Sequence, residues 1–156
     1  MFNFKVHKHK NILREAFSAC FSPMRDELGN VPIKMQQSRK ITASILGVCR
    51  AYAIAKKLKE DGFNLIVDAV FEELFRRESV EVQSRAENWL QTEDDAFMKD
   101  YYFAKEETLA KGLELNWLTD YSRENFRVVS QVMFDMQLSS TAIRLDARTN
   151  ETDKNK

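Results

Sequence analysis

A single all-α domain of five or six helices is what this sequence predicts. Three observations predict it. Glycine and proline are scarce, four and two in 156 residues, and sheet folds consume those residues in their many turns. Apolar side chains recur at three- and four-residue spacing through most of the chain, which is the helical period. The length suits one hydrophobic core. The expected domain spans residues 1–138, with 1–9 as an extended arm and 139–156 as a polar tail.

The arm is expected because Phe2, Phe4 and Val6 alternate with polar residues over too short a span to pair as a strand. A first helix then carries Ile12, Leu13, Ala16, Phe17, Cys20 and Phe21 and stops at Ser22-Pro23. Proline is tolerated at the first helical position, so Pro23 to Leu28 is read as one or two turns. Gly29-Asn30-Val31-Pro32 is a loop signal. The second long helix is expected from about Gln37 to Asp61, closed by Gly62. At 100° per residue, Ile41, Ile45, Val48, Tyr52 and Ala55 share one face, while Arg39, Arg50 and Lys57 share the opposite one. Asn64 is read as the cap of a third helix to about Glu78, so broadly apolar that it should be mostly buried. Glu72 with Arg76 and Glu73 with Arg77 stand at ion-pairing spacing along it.

Helical spacing continues from Ser79 through Leu90. Thr92-Glu93-Asp94-Asp95 looks like a cap followed by acids in a first turn. The stretch 79–115 therefore reads either as two helices or as one unbroken helix. A last helix is expected after Thr119-Asp120, carrying Phe126, Val128, Val129, Val132, Met133, Phe134, Met136 and Leu138. Beyond Ser139 the chain turns polar and is expected to be disordered.

Candidate chemistry is thin. His7 and His9 are the two histidines of the chain. They stand two residues apart without the further ligands a metal site requires, so no metal is expected. The histidine-bearing carboxylate motif of di-metal bundles has no counterpart downstream. Cys20 and Cys49 sit in separate apolar helical patterns and read as free core thiols rather than nucleophiles or a disulfide. No glycine-rich phosphate loop occurs, and Gly47 inside a helical pattern marks either a tolerated glycine or a close helix–helix approach. No cofactor and no catalytic residue are expected, so the protein reads as non-enzymatic. No apolar run approaches the ~20 residues of a membrane span. The first ten residues lack the apolar stretch of a signal peptide, and a cytoplasmic setting is expected.

The charge is sorted along the chain. Residues 1–59 hold twelve lysines and arginines against three acids, whereas residues 60–120 hold sixteen acids against six bases. Such asymmetry bears on partners rather than on fold. The reading it supports is a protein-interaction module that associates with itself, basic half (1–59) over acidic half (60–120), as a two-fold dimer. The two halves could equally fold onto one another within one chain. A nucleic-acid regulator using the basic half is the first alternative, weakened by the acidic half. A bundle holding a small apolar ligand is the second. The candidate interaction residues are Arg39, Arg50 and Lys57 of the basic stripe together with Tyr101 and Tyr102. Three consecutive aromatics, Tyr101-Tyr102-Phe103, cannot all face one core, so at least one must lie on the surface or against another chain.

Overall fold

The computed structural model describes residues 2–126, with side chains from Val6 onward. In chain order the helices are α1 Phe2–Phe21, the single turn α2 Ile33–Gln36, α3 Arg39–Ala55, α4 Glu60–Phe75, α5 Ser79–Gln91, α6 Asp95–Lys111 and α7 Asn116–Phe126. Short 3-10 turns occupy Ser22–Met24 and Arg76–Glu78. The described residues contain no strand. All-α architecture is therefore what this sequence folds into. The expected helix from 127 to 138 and the polar tail 139–156 lie outside the described residues.

Helix α3 is the centre. Nine consecutive residues, Ile41 to Cys49, are buried, so neighbours cover it on every side. Small side chains make that possible: Ala43, Ser44 and Gly47 let other helices approach its backbone. Helix α6 lies alongside it in the same direction, with Arg39 beside Asp94 and Gly47 beside Ala104. On the other side α1 packs on α4, and α7 packs on α1 and on the turn after it. Phe17, Phe21, Phe71 and Phe97 are among the largest fully buried side chains and fill the space between these layers. Burying one such ring contributes roughly 1.5–3 kcal/mol.

From Phe2 onward the expected extended arm is helical instead. Val6, His9, Leu13, Phe17 and Cys20 are all buried, at three- and four-residue steps, so the stripe of the first helix begins well before Asn11. His9 is held inside by the Tyr52 hydroxyl, 2.6 Å from its Nδ1. A short alternation of Phe2, Phe4 and Val6 resembled a strand, but the longer period wins once His9 counts as an inward position.

The long helix expected from Gln37 to Asp61 is two helices. Lys57 takes a positive φ of 57°. Its N–H donates to the Ile54 carbonyl at 3.1 Å, and the Leu58 N–H reaches back to Ala53 at 2.9 Å. This is the hydrogen-bond closure usually built on glycine. Gly62 consequently lies in the first turn of α4, where it caps nothing, and Asn64 is exposed inside that helix. The expected pairs Glu72–Arg76 and Glu73–Arg77 do not form, because α4 ends at Phe75. Arg76 turns to the Leu28 carbonyl, Glu73 pairs with Arg25, and Arg77 stands beside Glu78.

The stretch 79–115 holds two helices. Thr92 closes α5, and the Asp94 carboxylate caps α6 by accepting the Phe97 N–H at 3.0 Å. The last described helix starts at Asn116 rather than after Thr119-Asp120. Thr119 lies within it and donates its hydroxyl to the Cys20 carbonyl at 2.9 Å, tying α7 to α1.

Candidate interaction surface

Helix α6 carries two unlike faces. Its inner face presents Phe97, Tyr101, Ala104 and Thr108, all buried against the rest of the bundle. A Cβ built on Gly47 of α3 would lie against the Tyr101 carbonyl oxygen, well inside contact distance, and 2.9 Å from the Ala104 Cβ. The isolated glycine thus marks a close helix–helix approach. That approach fixes the rotation of α6 about its own axis. With Tyr101 and Ala104 turned inward, the helical period turns Lys99, Tyr102, Phe103, Glu106 and Leu109 outward.

Three of those outward residues are large and apolar. Tyr102 is 51% exposed, Phe103 50% and Leu109 45%. Phe103 meets the Trp117 ring edge-on at 5.4 Å, which extends the apolar surface onto α7. Lys105 places its ammonium 5.3 Å from the Tyr102 ring centre, a cation–π arrangement that holds the tyrosine in place. An aromatic patch with a polar margin on a rigid helix has the composition of a protein contact surface.

The basic residues singled out from the sequence do not form one free stripe. Arg39 pairs with Asp94 at 3.5 Å and lies over Trp89. Arg50 makes a two-pronged contact with Glu60, both bonds at 3.2 Å, and its guanidinium sits 3.6 Å over the Phe63 ring. Lys57 is exposed in the turn after α3, off the helix altogether. Tyr101 is buried and stacks along Phe97, while Tyr102 lies outside. Tyr102 and Lys57 are exposed among the described residues. Phe103, although part of the aromatic triplet, and Leu109 were not among the candidate residues read from the sequence. The signal that finds them is the inward trio Phe97, Tyr101 and Ala104, which sets the register of the helix.

The sorted charge is matched in part inside the chain. Of the seven ion pairs among the described residues, four join the basic half to the acidic half: Arg25–Glu73, Arg39–Asp94, Lys40–Asp100 and Arg50–Glu60. Part of the unpaired charge lines two recesses. Lys56, Lys57 and Lys59 line a recess of about 460 Å³ with Val6 and Leu58. Asp68, Glu72 and Glu87 line another of about 500 Å³ between α4 and α5, where Gln83 donates to Asp68 and Glu87.

Both cysteines are free and buried. Burial pushes the Cys20 thiol up to about 11, against a weaker opposing pull from the Thr119 hydroxyl. Burial raises the Cys49 thiol further still, with Arg50 opposing. The folded-state values lie above the unfolded ones, so the neutral thiols stabilise the fold below pH 9. That contribution is lost as pH rises from about 9 toward 11. Two units at Cys20 correspond to about 2–3 kcal/mol. Denaturant melts should therefore show stability falling as pH rises above about 9, with a Cys20→Ala variant showing a shallower fall. Both thiols should also stay unreactive toward a disulfide reagent at neutral pH until the chain is unfolded. Prompt native-state labelling of either would contradict the burial.

Among the described residues no three or more His, Cys, Asp or Glu side chains gather as metal ligands, and no helix is long and apolar enough to cross a membrane. No family model, curated protein or solved structure matches the chain.

Proposed function

We propose that the protein is a non-enzymatic protein-interaction module whose contact surface is the outer face of α6. The observation that carries this reading is the pair of half-exposed aromatics, Tyr102 and Phe103, on a helix whose opposite face is locked to the core. Rigid aromatic anchors lose little conformational entropy on docking and supply most of the affinity in protein contacts. The surrounding charge supports the same reading. With Arg39, Lys40 and Arg50 engaged by acids of their own chain, α6 offers apolar area beside a polar margin rather than a charged plate.

A photo-reactive benzoylphenylalanine at position 102 tests it, with position 88 on the exposed side of α5 as the control. Irradiation in the native extract should give a discrete protein adduct from position 102 and only background from position 88. Equal yields at the two positions would contradict a dedicated surface on α6.

A further inference from the structure

We infer that the protein docked on α6 is a second copy of this chain, packed antiparallel about a two-fold axis passing between Tyr102 and Phe103. The inference rests on the reading of α6 as the contact surface. It commits that surface to one partner through the order of its exposed side chains. Ala96, Lys99, Tyr102, Phe103, Glu106 and Leu109 are all exposed, and at 100° per residue they fall within an arc of about 140°. Set antiparallel about the stated axis, Tyr102 meets the partner's Phe103. Lys99 meets the partner's Glu106, and Ala96 comes level with the partner's Leu109. Each pairing occurs twice, as a closed two-fold contact requires. The aromatics lie at the centre and the opposite charges flank them, the arrangement of a hot spot within a polar rim.

The charges also select the orientation. A parallel pairing would set Lys99 against Lys99 and Glu106 against Glu106. Sliding the antiparallel partner about two helical turns in either direction produces the same clash at one of the two positions. Within one helix Lys99 and Glu106 stand about 10 Å apart along the axis, too far to pair with each other. Neither has an ion-pair partner among the described residues. The stated register gives both a partner. A helix contact about 20 Å long is small, so the dissociation constant should fall at about 1–100 µM.

The test is a charge exchange read by sedimentation equilibrium of the full-length protein. Lys99→Glu alone and Glu106→Lys alone should each weaken self-association about tenfold, because both symmetric pairs turn repulsive. Mixing the two variants should restore it, since the mixed dimer sets opposite charges at both flanks. Matching circular dichroism and melting of each variant establish that the fold is intact, as expected for exposed positions. Singles that associate like the parent, or a mixture no tighter than either single, overturn the antiparallel register. If the position-102 adduct persists in that case, the α6 surface itself stands. A parent chain that remains one mass at about 200 µM overturns the second copy as partner. A Tyr102 adduct to a different protein would name the occupant instead, and an adduct within the same chain would assign the face to the chain's own residues.

Discussion

Replacing Gly47 with valine is expected to remove about 3–4 kcal/mol of stability, a large part of what a domain of this size possesses. The position has no room on its open side. A Cβ there would run into the Tyr101 carbonyl oxygen and would stand 2.9 Å from the Ala104 Cβ and 3.1 Å from the Lys105 nitrogen. Two of those three atoms belong to the backbone of α6, which cannot swing aside as a flexible side chain would. The added group must push α3 and α6 apart along the central contact of the bundle. Gly47→Ala should cost less, about 2 kcal/mol, because the better helix propensity of alanine returns about 1 kcal/mol. Urea melts of the three proteins give the comparison. A valine variant that melts with the parent would mean that α3 and α6 do not meet at this point. The functional consequence follows from the same geometry, since the crossing at Gly47 sets which residues of α6 face outward.

Arg50→Glu is expected to cost about 2 kcal/mol, whereas Lys57→Gly should be neutral or stabilising by up to about 1 kcal/mol. From the sequence the two positions belong to one basic stripe. In the structure they live in different physical settings. Arg50 lies flat over Phe63 and bonds both Glu60 oxygens. A glutamate there loses the stacking and the covered aliphatic stem, and it faces Glu60 with like charge. The electrostatic share is modest because Glu60 is largely exposed and screened. Lys57 forms no ion pair among the described residues and holds a positive φ that a side chain resists. Glycine relieves that strain, at some cost in unfolded-chain entropy. Thermal melts at moderate salt separate the cases. Equal effects from both substitutions would return the two residues to an ordinary solvated face.

Helical class and a single core were legible because the apolar period is strong and turn residues are few. Helix ends were less legible, and the reason is specific. Three turns are made by Lys57, Arg76 and Glu93 at positive φ, where glycine is the usual signal. A reader who places ends by glycine runs α3 through to Gly62 and α4 through to Glu78. Burial around α3 was hidden as well. Arg39 and Arg50 suggested a solvated face, but they flank the buried run Ile41 to Cys49, and the intervening Thr42, Ser44 and Gly47 are small enough to be enclosed. Sorted charge was plain in the chain, whereas its internal pairing was not, since Arg25–Glu73 and Arg39–Asp94 join residues dozens of positions apart. The aromatic triplet announced an exposed ring. That both Tyr102 and Phe103 face outward depended on the contact at Gly47, a tertiary fact.

Sedimentation of the 156-residue chain, alone and as a Tyr102→Ser/Phe103→Ser variant, in low and moderate salt, tests the α6 contact. The α6 surface predicts a mass rising from 18.2 kDa toward twice that value with concentration. The rise should be only modestly weakened by salt and abolished in the serine variant. Association that vanished as salt rose to about 0.3 M, yet was indifferent to the loss of both aromatics, would return the contact to the charged halves and contradict this account.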